Sequence, residues 1–346
     1  MTEAVTRHSD LLGHDVRADP WLGQGRSSYA LAGEALREHR IGDAVALARM
    51  TAQEAQEAYD LYALWLVQLP ELLDDRGVPG VDLSLARVTA QAVADALHRG
   101  WAEFRAMVDE VVAVASVRPG DAGRLLERAR STWLTVHDPA TDQIAGLLAL
   151  GSRHLGEQSV GALWDALLGH YYDAIADRYD LTVHPWSRSV ERLALDIFEA
   201  VRGHLTGPER DGSFVVREES DRWVLEFAPC GSGGRTYREA GATGRDEREF
   251  TDGEHDWAWR TRGVCLYCVH CCQLQQRAPI ERIGIPLRVI EPPVRASAEG
   301  TGRERCRWSI YKDPALIPAQ AWSGVGATPP PGAPGQPEPD ADERRP

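Results

Sequence analysis

The sequence predicts an α+β protein, with an N-terminal helical bundle followed by a small α+β domain of antiparallel strands and a Cys-rich site. Three observations lead there. From residue 29 to about 205, apolar side chains recur at helical spacing. Beyond Gly207-Pro208 the period shortens to the alternation of strands. All six cysteines lie at or after Cys230, and four of them fall in one run, RGVCLYCVHCCQLQQ, at residues 262–276.

Taken in order, residues 1–28 are polar and glycine-dotted without a sustained period, and read as a flexible arm. Asp43 can cap a helix carrying Leu47, Tyr62, Leu66 and Leu69, with Pro70 as its stop. Ser84 can cap the next, through Leu97, Trp101, Phe104 and Val108, which Pro119-Gly120 ends. A shorter helix begins at Asp121 and carries Trp133, and Asp138-Pro139 starts another with proline in the tolerated first turn. Ser159 opens a helix with Leu163, Trp164, Leu167 and Leu168, and Pro185 precedes the last, with Leu193, Ile197 and Phe198. Together they make a helical domain over 29–206.

The Cys-rich domain spans 207–323. Residues 213–229 predict two strands around a tight acidic turn, and PLRVIE (286–291) and CRWSIYK (306–312) predict two more. Between them QLQQRAPIERIG reads as a helix interrupted or restarted at Pro279. The proline-rich, acidic tail, 324–346, cannot bury enough apolar surface to offset chain entropy and is expected to be disordered.

A formal net charge of −14 excludes non-specific nucleic-acid binding, which needs a basic face to displace counterions. No apolar run approaches the roughly 18 residues of a membrane span. The N-terminus, MTEAVTRHSD, has no basic start or apolar core of a secretory signal, so a cytoplasmic location is expected. In a reducing compartment clustered cysteines are metal ligands or reactive thiols more often than disulfides. The expected partner is a small-molecule ligand or substrate, with no nucleic acid and no membrane.

Cys265-x-x-Cys268 and Cys268-x-x-Cys271 overlap, and such spacing lets two thiolates turn onto one tetrahedral metal. Cys230, Cys268, Cys271 and Cys306 form the candidate set for zinc or another transition metal. Cys265 is expected as a core thiol, and Cys272 must point away from Cys271. A zinc staple, a catalytic metal or thiol, and unligated small hydrophobes all fit the pattern. His270 can serve as ligand, outer partner or general base. The loop Cys230-Gly-Ser-Gly-Gly-Arg235 follows a strand directly; its glycines can aim several N–H groups at one spot, with Arg235 pairing a substrate carboxylate or phosphate, or it is simply a flexible loop. His137-Asp138 reads as a local structural pair. Trp257 and Trp259 lead into the cluster and suit either a core or a small-molecule pocket.

Three pieces carry a resemblance: a strand ending in a cysteine (WVLEFAPC), a Cys-bearing turn entering a helix (YCVHCCQLQQ), and a strand opening with a cysteine and an aromatic (CRWSIYKD). In this order they resemble the 4-vinyl-reductase-type ligand-binding domain and the 2-aminothiazoline-4-carboxylate hydrolase-like proteins over roughly residues 213–313. The resemblance implies a Cys-rich zinc site beside a small-molecule pocket, with Cys230, Cys268 and Cys271 as its positions here. The extra Cys265 and Cys272, the glycine loop and the helical half depart from that pattern.

The expected function is therefore an enzyme acting on a small polar or aromatic metabolite through a Cys/His metal or thiolate site, a metal- or thiol-dependent hydrolase or lyase. The alternative is a small-molecule-binding or sensing protein with a structural Cys-ligated zinc. Two geometric expectations follow. The halves share one pocket whose interface holds Trp257 or Trp259, and the sulfurs of Cys230, Cys268 and Cys271 fall within about 5 Å of one another.

Overall fold

The computed structural model describes residues 4–239, 249–296, 302–303 and 305–336. The chain opens with a hairpin, β1 (Thr6–Ser9) and β2 (His14–Arg17), and not with a loose arm. Arg17 explains the difference, because it is buried, pairs with Asp19 at 2.9 Å and donates to the Gly23 carbonyl. Gln24 closes the turn onto the carbonyls of Arg17 and Asp19. A polar segment is ordered here by hydrogen bonds that hydrophobic periodicity does not register.

Six helices follow: α1 (Ser28–Arg37), α2 (Ile41–Asp75), α3 (Gly80–Val114), α4 (Pro119–Leu155), α5 (Ser159–Tyr179) and α6 (Trp186–Gly203). Ser27 caps α1 by accepting from the Ala30 N–H. Two expected boundaries are absent. Helix α2 runs through Pro70, and α4 runs through Pro139, merging the two helices read from the sequence. An interior proline costs about 3 kcal/mol. Around Pro139 that cost is offset by Trp133, Ala140, Ile144, Leu147 and Leu148, all essentially fully buried, since each large apolar side chain contributes about 1.5–3 kcal/mol. Pro119, expected to end α3, instead sits in the first turn of α4. The starts of α5 and α6 fall where Ser159 and Pro185 place them.

The C-terminal half holds a four-stranded antiparallel sheet of β3 (Val215–Glu218), β4 (Arg222–Phe227), β5 (Val289–Glu291) and β6 (Cys306–Tyr311), in the order β3-β4-β6-β5. All four strands fall where the alternation predicts them. Phe227 pairs with Cys306 across β4 and β6, so the strand opening at Cys306 lies beside the one leading to Cys230. Helix α7 (Gly233–Glu239) leaves the glycine loop. Helix α8 (Val269–Cys272), a π turn (Gln273–Arg277) and α9 (Ala278–Ile283) form a nearly continuous helical segment, and α10 (Gln320–Ser323) closes the fold. Of the expected disordered tail, Gly324–Gln336 is tied down by bonds such as Ala319 N–H to the Pro334 carbonyl, and 337–346 lie outside the described residues.

One apolar core runs from Tyr29 in α1 to Val325 and joins both halves. Trp257 is part of that junction. It packs on Gly161 of α5 so closely that a Cβ there would sit 2.6 Å from the ring, and its indole donates to Gln158. Among the described residues no helix is long and apolar enough to cross a membrane.

Candidate functional site

The helical segment after Tyr267 is shaped by Pro279, which has no N–H to offer the Gln275 carbonyl one turn back. That carbonyl accepts instead from Leu287 and Arg288, at 3.1 and 3.2 Å, and so draws the chain entering β5 against the helix. Gln276, also buried, accepts from the Trp259 indole at 2.7 Å and the Ile290 N–H at 3.0 Å and donates to the Ala321 carbonyl. On the other side the Trp164 indole of α5 donates to the Leu266 carbonyl at 2.9 Å. The Cys-bearing turn is thus fixed against the bundle and the sheet together.

Between these elements lies a cavity of about 200 Å³, walled by α2, α5, α6, the helical segment and the sheet. Both halves contribute to it, as the sequence led us to expect. Its walls are largely apolar, with Leu61, Trp65, Leu168, Ile197, Phe227 and Trp308. Five groups that can bond or react, His270, Cys271, Cys230, His204 and Ser232, also line it, with Glu57, Arg178 and Arg288.

His270 and Cys271 form a pair. The Cys271 Sγ stands 3.3 Å from His270 Nε2, while His270 Nδ1 lies 2.6 Å from the Tyr267 carbonyl. A carbonyl only accepts, so Nδ1 carries the hydrogen and the Nε2 lone pair faces the thiol. Trp65, Trp164 and Tyr267 pack their rings 4.9–5.8 Å from the imidazole. Burial in this aromatic box lowers the His270 pKa to about 4, and burial next to Cys306 and Cys230 raises that of the Cys271 thiol well above its usual value. At neutral pH the pair is imidazole and thiol, not an ion pair.

Arg288 is the second anchor. It is buried, and among the described residues it has no carboxylate at ion-pair distance. Its guanidinium donates to the Gln275 side chain and, at 2.9 Å, to the Leu193 carbonyl, lies 5.3 Å from the Trp308 ring, and leaves Nε without a partner. Two of five N–H bonds are engaged. Burial lowers its pKa from the ordinary value, yet an arginine stays charged in proteins. Glu57, accessible but hemmed in by protein, is pushed up to about 7 by desolvation and by Asp196.

The remaining site candidates are distributed differently from the expectation. Cys230 and Cys271 reach the cavity, whereas Cys268 packs beside Gly233 and hydrogen-bonds Cys265, and Cys306 accepts from the Trp308 indole at 3.0 Å. Among the described residues no three Cys, His, Asp or Glu side chains gather as a metal-holding group. Cys230, Cys268, Cys271 and Cys306 therefore do not meet as a donor set among the described residues. Arg235, expected to meet substrate, is buried away from the cavity and pairs with Asp138 and Asp142. The glycines of its loop serve close packing. A Cβ on Gly231 would sit 1.7 Å from the His204 carbonyl oxygen, and one on Gly233 would sit 2.4 Å from Cys268 Sγ. Cys265 is fully buried, as expected, and Cys272 faces the Asp256 carbonyl and not its neighbour.

Arg288 and His204 are absent from the sequence reading. Arg288 had a usable signal, a lone positive charge among the apolar residues of PLRVIE. His204, alone after a helix in GHLTG, had none. No family model, curated protein or solved structure matches the chain.

Proposed function

We propose that this protein is an enzyme that binds a small, flat, anionic molecule in the cavity and attacks an electrophilic carbon of it with the Cys271 thiol. The observation that carries the reading is the Cys271–His270 pair at 3.3 Å, with its tautomer fixed by a backbone carbonyl, in the wall of an apolar cavity. An apolar cavity of about 150 Å³ accommodates benzene, so about 200 Å³ suits a ligand of roughly eight or nine non-hydrogen atoms, the size of benzoate. Arg288 supplies the charge partner for a carboxylate, and Trp65, Trp308 and Leu168 supply an apolar bed. The order of strand, Cys-bearing turn and strand that likens this half to small-molecule-binding domains supports the same reading.

In the first step His270 Nε2 takes the thiol proton as Cys271 Sγ adds to a carbonyl-type carbon. Collapse of the adduct expels the leaving group, which receives that proton, and leaves a thioester on Cys271. Because the pair rests neutral, the proton moves only with the attack, which is general-base activation and not a preformed thiolate.

Phenyl acetate, slightly larger than benzoate, offers a flat ring and a reactive ester without a carboxylate, and so tests the thiol apart from Arg288. Incubation should release phenol in a burst and leave an acetyl group on Cys271, located by peptide mapping. Cys271→Ser should abolish both, and benzoate should compete. An acetyl group on another residue, or a burst unchanged in Cys271→Ser, would overturn the proposal.

A further inference from the structure

Behind the cavity wall a buried chain of polar groups links the two halves, and of its members Tyr267 alone also holds the thiol pair. Asp138 accepts from both Nη atoms of Arg210, at 2.9 and 3.1 Å, and from His137 Nδ1 at 2.8 Å, with Arg235 also beside it. Burial pushes the Asp138 carboxyl up, but the bonds from His137 and Arg210 outweigh it and hold the group well below the carboxylate range. It is ionised, so His137 Nδ1 carries the hydrogen and His137 Nε2 is a bare lone pair.

Three atoms meet at that lone pair. Tyr62 Oη lies 3.2 Å from His137 Nε2 and 3.0 Å from His204 Nδ1, and the two imidazoles are 3.1 Å apart. The Tyr267 hydroxyl donates to Tyr62 Oη at 3.2 Å, while Thr141, 3.0 Å from the same oxygen, also has the His137 carbonyl as an acceptor at 3.2 Å. If His204 Nδ1 were also bare, two lone pairs would face each other with one hydrogen between them. With a hydrogen on His204 Nδ1 the cluster closes: Thr141 gives its hydrogen to the His137 carbonyl, Tyr62 Oη accepts from Tyr267 and from His204 Nδ1, and Tyr62 donates to His137 Nε2. The lone pair of His204 then lies on Nε2, which makes no hydrogen bond among the described residues, and His204 lines the cavity.

We propose that His204 is a second base of the cavity, with His137, Tyr62 and Asp138 as positioning residues that relay the proton behind it. Resting on the thiol reading above, its task is the second half of the reaction. Water gives a proton to His204 Nε2 as its oxygen adds to the thioester carbon. The C–S bond then breaks, the product leaves as an acid, and the proton taken by His204 restores the thiol. As Nε2 gains its proton, the Nδ1 hydrogen moves toward His137 Nε2, where the Asp138 carboxylate faces the resulting positive charge. The surrounding groups agree with a neutral resting chain. Burial lowers the pKa of His137 and His204 and keeps the phenols of Tyr62 and Tyr267 protonated, while His270 and Arg210 face His204 as further disincentives to charge. The backbone of His204 is pinned by Gly231, which admits no side chain.

Two measurements test this on the full chain. In imidazole nitrogen NMR of the unmodified protein, His204 should show the Nδ1–H tautomer, as should His137; an Nε2–H tautomer of His204 overturns the relay without any substrate. Asp138→Asn should shift the His137 hydrogen and alter the His204 signals, and unchanged tautomers in a folded variant also overturn it. With phenyl acetate, His204→Gln should keep the acylation burst yet lose turnover by about 100-fold, with acetyl-Cys271 accumulating. Equal loss of burst and turnover refutes the second-base role. If the unmodified protein forms no acetyl-Cys271, the thiol reading has failed, and the tautomers still decide the relay.

Discussion

Acid should destabilise this protein through its buried imidazoles, against the opposing pull of Glu57, whose raised pKa favours the folded state as pH falls, and His270 gives the clearest case. Unfolded, a histidine binds its proton near 6.5; in the aromatic box His270 binds it only near 4. Between those values the unfolded chain carries more protons, so stability falls as pH falls through the window. The shift of about 2.5 pH units corresponds to roughly 3 kcal/mol when the window has been crossed fully. Between about pH 7 and pH 5 the linkage relation gives close to 2 kcal/mol from His270 alone. His137 and His204, also lowered by burial, add to the loss with the same sign. Guanidinium denaturation at the two pH values measures the total, and the same pair of curves for His270→Gln isolates the His270 share. The variant should lose about 2 kcal/mol less than the parent on acidification. An identical loss in both proteins would refute the neutral buried imidazole, and with it the general-base geometry.

Three further outcomes follow from packing and charge. Gly161→Ala forces a Cβ to 2.6 Å from the Trp257 ring and should cost about 1–3 kcal/mol; Gly146→Ala, in open space on α4, should be neutral or stabilise by about 0.5–1 kcal/mol in the same melts. Arg288→Met should weaken benzoate binding at least about tenfold, read by tryptophan fluorescence, since a hydrogen bond to a charged group contributes about 1.5–3 kcal/mol; unchanged affinity would remove Arg288 from the binding site.

Much of the fold was legible in local pattern. The strands around Trp223, Val289 and Trp308 and the helices opening at Ser159 and Trp186 follow from alternation, helical spacing and caps. Proline misled where burial outweighed its local cost: Pro70 and Pro139 sit inside helices whose flanking leucines and Trp133 are fully buried. The hairpin around Arg17 escaped because its order comes from buried hydrogen bonds among polar residues. At the site, the run around Cys265–Cys272 pointed to the right turn, and His270 was singled out from its place in it. The partners were not legible. Whether Cys271 meets His270 or Cys268 depends on whether a helix begins at Val269, and His204 and Arg288 arrive from α6 and β5 through long-range packing that spacing does not encode.

A crystal structure of the protein soaked with benzoate tests the cavity as the binding site. The ring should lie in the cavity between α5, α6 and the sheet, its carboxylate on Arg288 and its other end toward Cys271 and His204. A cavity without ligand density, with benzoate bound only in the arginine groove of Arg303, Arg305 and Arg307, would contradict that placement.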